Sequence, residues 1–225
     1  IILAINGVIV GEAREEELVR GGFGLYVSPS TTARFDSFSV FTDEKVTQAI
    51  IDDFENPPRK WFAGYQDGVN YRYEGGAYVI DASESQKSGI SIFPGSYARF
   101  ELEVEVKKLS GPDNYGYGIF FQDIPNEKGG YDQFRFLISN DGWLTIQKSF
   151  EDVPRAIYDW AKRVEVMQND WNLLRVVLAN SGISFFVNGK LLFQLRDVPE
   201  VEGKLGLYVS SGLKVAFDNF KLVKY

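Results

Sequence analysis

Apolar and polar residues alternate with a period of two along most of this chain, the signature of half-buried β-strands. In ARFELEVEVKKLS, Ala98 to Ser110, Phe100, Leu102, Val104 and Val106 fall on one side. Arg99, Glu101, Glu103, Glu105 and Lys107 fall on the other. That predicts a strand with one face in a core and a charged face in water. YRYEGGAYVIDA, Tyr71 to Ala82, holds two such segments around Gly75-Gly76, and YDQFRFLIS and WLTIQKSF flank Asn140-Asp141-Gly142. Both read as β-hairpins. WNLLRVVLA, Trp171 to Ala179, is a nearly continuous apolar strand that turns at Asn180-Ser181-Gly182 into ISFFVNGKLLFQL, with Asn188-Gly189 as its hairpin. Two glycines interrupt the strand pattern of YGYGIFFQD, marking a bulge or a close approach by another backbone or a ligand. About ten short strands with turn signals between them, and almost no helix, predict an all-β fold, an antiparallel two-sheet jelly-roll sandwich.

The closing text of the chain also opens it. LAINGVIVG from Leu3 and the later GLYVS and FDSF align without a gap on the last forty-odd residues, at an offset of 182 (Asn188 minus Asn6). Asn6-Gly7 falls on Asn188-Gly189, Gly24 to Ser28 on Gly206 to Ser210, and Phe35-Asp36 on Phe217-Asp218. A solenoid repeat is roughly 20–50 residues long, so this spacing suits a whole domain. The expected organisation is residues 1–42 as the C-terminal strands of a preceding repeat, 43–52 as a linker, and 53–225 as one complete sandwich. A short helix over 43–52, capped by Thr42, is the competing expectation there. One large sandwich using the same turn-and-strand grammar twice is the alternative to tandem copies. The sequence opens with Ile-Ile and not Met, so it reads as a fragment from which a leader could have been removed.

Composition narrows the chemistry. Asp and Glu outnumber Lys and Arg, 31 against 24, for a net charge of −7. This argues against nucleic acid or an anionic membrane as partner. No apolar run is long enough for a transmembrane helix, so no membrane insertion is expected. Cysteine and histidine are both absent. That removes disulfides, thiolate nucleophiles, Ser-His-Asp triads and Cys- or His-ligated metals. Catalysis would rest on carboxylates, Tyr or Lys.

GYGIFFQD, YDQFRFLISNDGWLTIQK, WNLLRVVLANSGISFFVNGKLLFQL and GKLGLYVSSGLKVAFDNFKLV together resemble the concanavalin A-like lectin/glucanase superfamily. Within it they are most similar to laminin-G-like and 3-keto-disaccharide-hydrolase-like bacterial domains. The resemblance implies a curved two-sheet jelly roll ending in an Asn-Gly hairpin, a glycine-flanked strand (Gly203 to Leu207) and the tetrapeptide Ala216-Phe217-Asp218-Asn219. It covers residues 53–225 fully and 3–42 as part of another copy. It is specific for fold and weak for activity, because the superfamily spans glycosidases, lectins, adhesins and structural modules.

Three chemistries are candidates. Glycosidases set two carboxylates across one bond, and Glu101, Glu103 and Glu105 form the carboxylate ladder here; a solvated, charged strand face is the expected reading. No catalytic residue is assigned. Sugars stack on aromatic rings and are oriented by polar groups. If Phe134, Phe136 and Ile138 are core, then Tyr131, Gln133, Arg135 and Leu137 share the other, concave face. Gln122 and Phe120 join them if Ile119 and Phe121 point inward, and Trp143, Thr145 and Gln147 continue the surface. Tyr115, Tyr117, Tyr158 and Trp160 are expected at its edge. The ligand-binding set is therefore Gln122, Gln133, Arg135, Trp143, Gln147 and Tyr131. Calcium is the one cofactor considered, with Asp123, Asp132, Asn140, Asp141, Asp53 and Asp218 as loop oxygens. For Asp218, with Asp36 as its counterpart, a carboxylate accepting backbone N–H bonds is the expected role. The function expected is a non-catalytic carbohydrate-binding or adhesive module of a secreted or cell-surface protein. Its alternatives are a structural repeat assembling with copies of itself through strand edges, and a glycoside hydrolase-like enzyme domain.

Overall fold

A computed structural model describes residues 2–5, 8–12, 27–30, 32, 48–56, 59–150 and 153–225. The chain divides into two compact units, Ile1–Phe38 and Ser39–Tyr225. The described residues hold no helix, and hence none long and apolar enough to cross a membrane.

In the first unit, β1 (Ile2–Ile5) pairs antiparallel with β2 (Val8–Glu12). The turn between them, Asn6-Gly7, lies outside the described residues, as do the strands expected within 13–26 and 33–42.

The second unit runs β3 (Gln48–Asp52), β4 (Gly64–Gln66), β5 (Val69–Glu74), β6 (Ala77–Asp81), β7 (Gly89–Ile92), β8 (Phe100–Ser110), β9 (Tyr117–Pro125), β10 (Tyr131–Ile138), β11 (Trp143–Phe150), β12 (Val153–Lys162), β13 (Asn172–Ala179), β14 (Gly182–Val187), β15 (Lys190–Arg196), β16 (Lys204–Val209) and β17 (Lys214–Lys224). These form two antiparallel sheets. A nine-stranded sheet is ordered β15-β14-β13-β8-β17-β6-β5-β4, with β3 added on β17. A six-stranded sheet is ordered β12-β11-β10-β9-β16-β7. This is the expected jelly-roll sandwich.

Residues 48–52 correct the expected linker over 43–52. They pair with β17, from Asp52 opposite Phe220 to Gln48 opposite Lys224. Ile50 packs against the core while Ile51 is 61 % exposed. Five residues with a single inward apolar side chain give too short an alternation to read from sequence, and pairing with an already formed strand decides the conformation.

Alternation places the core. β8 buries Phe100, Leu102, Val104 and Val106 against Leu174, Val176 and Leu178 of β13 and the inward residues of the six-stranded sheet. Phe121 stacks on Phe134 with ring centroids 5.3 Å apart, and Phe136 meets Phe185 edge-on at the same distance. The turn joining β14 to β15 takes positive φ at both centres, 50° at Asn188 and 81° at Gly189. That conformation matches the strand twist and explains the Asn-Gly pair.

The closing hairpin also shows how far the repeat extends into geometry. β1 and β2 pair Ile5 with Val8, Ala4 with Ile9, Leu3 with Gly11 and Ile2 with Glu12, with a bulge between Leu3 and Ala4. β14 and β15 pair Val187 with Lys190, Phe186 with Leu191, Phe185 with Phe193 and Ser184 with Gln194, with a bulge between Phe185 and Phe186. Each partner of the first hairpin maps onto the second at the same offset, bulge included. Ser30 has a φ of 65°, and the residue at that offset, Gly212, has 82°.

Candidate functional site: the outer face of the six-stranded sheet

β10 sends Phe134, Phe136 and Ile138 into the core. Pleating therefore turns Gln133, Arg135 and Leu137 to the opposite face. On β9, Ile119 and Phe121 are core, while Phe120 clusters separately with Leu137 of β10 and Tyr208 of β16, and Trp160 of β12 packs on that cluster. Leu144 and Ile146 of β11 point inward, leaving Trp143, Thr145 and Gln147 outside. Register aligns these residues in rows. Arg135 stands opposite Gln147 on one side and Phe120 on the other, and Phe120 stands opposite Gly206. The next row is Thr145, Leu137, Gly118 and Tyr208.

Glycines make room for the rings on this face. A Cβ on Gly206 would stand 2.7 Å from the Phe120 ring and 2.0 Å from the Ser91 carbonyl oxygen. One on Gly116 would stand 3.1 Å from the Trp160 ring, and one on Gly118 would stand 2.3 Å from the Phe136 carbonyl oxygen. The glycines of YGYG thus serve close approach, as their position in a strand predicted.

Polar groups sit within this apolar floor. The Arg135 guanidinium lies 4.7 Å from the centre of the Tyr208 ring, and the Tyr208 hydroxyl hydrogen-bonds Ser88 Oγ at 3.0 Å. Arg135 Nε is buried without a hydrogen-bond partner. Gln133 is 8 % exposed, and its Oε1 also lacks a partner. Its backbone N–H donates to Ser149 Oγ at 3.1 Å, which fixes β10 to β11 there. Thr145 Oγ1 donates to the Tyr158 carbonyl at 2.9 Å. At one end of the face, Trp143 and Trp160 line an open cleft with Asn114, Ser139 and Asp141. Trp143 is 38 % exposed. Asp141 accepts from Ser139 Oγ at 2.5 Å. Asn140 Nδ2 donates to Asp113 Oδ1 at 2.8 Å, and Lys108 pairs with the same oxygen. Those two contacts hold the Asp113 carboxyl below its usual range.

Four of the six expected ligand residues, Gln133, Arg135, Trp143 and Gln147, share this face. Tyr131 lies at the outer end of β10 and is exposed. Gln122 joins only Gln133, in a separate cavity that Asp132, Lys148, Val198 and Pro199 also line. Register on β9 breaks between the partners of Asp132 and Phe134, and Gln122 takes a φ of 49°, the mark of a bulge. The extra residue shifts the alternation, and Gln122 Nε2 donates to the Pro199 carbonyl at 2.8 Å. Two edge aromatics are also reassigned. Tyr117 is core, 1 % exposed, and its burial raises the phenol pKa far above normal. Tyr158 packs on the core and against the Phe193 ring. Trp160, two residues on, takes the outer face. Sequence missed Tyr208 as the platform under Arg135; its place in GLYVS beside Gly206 was the available signal.

The carboxylate ladder lies on the outer face of the other sheet. Arg175 Nε is 3.0 Å from Glu101 and 3.4 Å from Glu103. Asn219 Nδ2 donates to Glu105 at 2.9 Å, and the Tyr225 hydroxyl donates to Glu101 at 3.0 Å. The face is charged, as the alternation predicted, but it is not solvated as expected: Glu101 is buried and Glu103 and Glu105 are half-buried, because cross-strand ion pairs and hydrogen bonds cover them. Among the described residues no group of three or more acidic side chains could hold a metal ion. Asp218 Oδ1 accepts the Asn219 N–H at 2.7 Å, its expected role; Asp36 lies outside the described residues.

The fold has distant likenesses among solved structures. Carbohydrate binding module CBM66 from Bacillus subtilis is 14 % identical, with a TM-score of 0.58, covering 72 % of this chain and 94 % of that one. The Bacillus licheniformis beta-glucanase is 12 % identical, with a TM-score of 0.60, covering 80 % and 100 %. A Bacillus subtilis protein of unknown function with a galectin-like fold is 11 % identical, with a TM-score of 0.59, covering 78 % and 94 %. At these identities the likeness concerns the fold. Among curated protein sequences none matches. Residues 51–223 match the family described as 3-keto-alpha-glucoside-1,2-lyase-like domain. That span takes in both sheets and every residue of the outer face described above, and the chain belongs to this family.

Proposed function

We propose that this chain is a non-catalytic carbohydrate-binding module acting outside the cytoplasm, where polymeric glycans are met. One observation carries the reading. The outer face of the six-stranded sheet offers aromatic surface from Trp143 and Trp160 over a buried floor of Phe120, Leu137 and Tyr208, with Arg135 and Gln147 set beside it. Flat aromatic surface receives the C–H face of a sugar, and fixed polar groups select its hydroxyls. The carbohydrate binding module from Bacillus subtilis supports it as a structural neighbour. The ladder that could have formed an acid pair lies on the other sheet and is engaged by Arg175, Asn219 and Tyr225. A glycan array probed with the full chain tests this. Binding that Trp143→Ala abolishes is the expected result. Silence across the array, or turnover of a 3-keto-α-glucoside by the chain, would overturn it.

The shared register and bulge of the two hairpins support a second reading, that residues 1–42 close a preceding copy of the same sandwich in a multi-domain protein. Removing residues 1–38 should then leave the melting temperature of the remainder unchanged. A fall of more than a few degrees would assign the segment to the same domain instead.

A further inference from the structure

The partly buried arginines of this sandwich are not alike. Arg72 pairs with Asp81 at 3.3 Å, Arg99 with Glu200 at 3.4 Å and Arg175 with Glu101 at 3.0 Å. Arg163, stacked on Tyr158, donates to that tyrosine's hydroxyl. Arg135 has neither a carboxylate partner nor a side-chain hydrogen bond among the described residues, although Asp and Glu outnumber Lys and Arg in the chain. It occupies β10, in the middle of the six-stranded sheet, between Gln147 and Phe120. Its guanidinium carbon lies over the Tyr208 ring, and Ser88 hydrogen-bonds the Tyr208 hydroxyl. Its Nε is buried and unpartnered, as is Gln133 Oε1 on the same strand.

Arg135 is half-buried, and a buried guanidinium N–H without an acceptor is costly to the fold alone. Stacking on an aromatic ring leaves the edge of the guanidinium fork free, and that edge matches a planar carboxylate through two parallel N–H···O bonds. The exposed Trp143 ring and the half-buried Trp160 ring at one end of the face suit the sugar ring that bears the carboxylate.

We propose that the glycan taken by this face is acidic, with the carboxylate of a uronate residue bound by Arg135 and its pyranose ring carried on the neighbouring aromatic surface. The inference rests on the carbohydrate-binding reading and adds the charge class of the ligand.

The test titrates the full chain, by calorimetry, with a short oligogalacturonate and with the same oligomer after reduction of its carboxyls to alcohols. The acidic form should bind roughly ten- to a hundredfold more tightly, the range for hydrogen bonds to a charged group. The difference should shrink as salt is added. Arg135→Gln should abolish the preference while leaving weak binding of the neutral form. Arg135→Lys, which keeps the charge but loses the fork, should retain only part of it. Melting temperatures of both variants near that of the parent show that the fold is intact. Equal affinity for the two oligomers, with both sensitive to Trp143→Ala, would overturn the acidic assignment and leave the carbohydrate reading standing. A preference that survives Arg135→Gln would also overturn it, as would binding confined to a sulfated oligomer. Failure of either oligomer to bind, together with silence on the array, would remove both readings.

Discussion

On the outer face of the nine-stranded sheet, Arg175 is matched by Glu101 and Glu103, Lys221 reaches Glu103 at 3.7 Å, Tyr225 donates to Glu101, and Asn219 donates to Glu105. On the outer face of the six-stranded sheet, Arg135 meets a tyrosine ring and stands opposite Gln147, with no carboxylate beside it among the described residues. Both faces come from the same period-two alternation. They differ in whether the charge on them is closed within the protein. A face whose ionic groups satisfy one another holds the fold together, whereas a face that leaves a cation and a carboxamide open can exchange those contacts with a ligand.

The comparison predicts opposite consequences for two arginines. Arg175→Ala leaves Glu101, which is 7 % exposed, without its cation. Denaturant unfolding should show a loss of about 3–5 kcal/mol, the cost of breaking a buried pair from one side. Arg135→Gln removes only a cation–π contact from the fold and should shift stability by about 1 kcal/mol or less. Equal losses at the two sites would erase the distinction between the faces.

The next effect is on binding. Trp143→Ala deletes an aromatic surface that is 38 % exposed. It should weaken sugar affinity roughly tenfold, with little change in stability. Trp171→Ala lies on the opposite face, packed against Ala77, Val79 and Ala216. It should cost stability and leave affinity unchanged.

The smallest effect concerns a buried carboxylate with one unpartnered oxygen. Asp52 is 6 % exposed and its Oδ2 has no hydrogen-bond partner. Burial raises its pKa above the ordinary value, offset in part by the Phe54 N–H and by Lys60, with Asp53 adding to the rise. The folded protein thus holds this proton to a higher pH than the unfolded chain does. The stability it contributes is full below the ordinary carboxylate range and is lost as pH rises through the folded value. Asp52→Asn should raise the melting temperature at neutral pH, and the gain should vanish in acid. A gain independent of pH would contradict the assignment.

The sandwich was legible because most strands bury one face, so alternation in Phe100 to Val106 or Phe134 to Ile138 reports the core directly. The ladder Glu101, Glu103, Glu105 was legible for the same reason. Phase was lost where the backbone departs from regular pleating. The bulge at Gln122 carries that residue to the Pro199 loop, and register shifts between β11 and β12 help set Tyr158 and Trp160 on different sides. Aromatic residues on both faces made Tyr117 and Trp160 indistinguishable by type. Sequence also carries no sign of which cations meet which carboxylates, since Arg175 and Glu101 come together only through the pairing of β13 with β8. Alternation thus gave the residues of the candidate face, and the difference between the two faces became visible only in the structure.

The chain has four tryptophans, and they divide among the regions compared: Trp143 and Trp160 on the proposed binding face, Trp171 on the opposite face, and Trp61 in the core. Their indole N–H resonances, followed by two-dimensional NMR during titration with an oligogalacturonate, test the account directly. It predicts that the Trp143 and Trp160 signals move with ligand while those of Trp61 and Trp171 stay in place. Movement of Trp171 alone, or of none of the four, would contradict it.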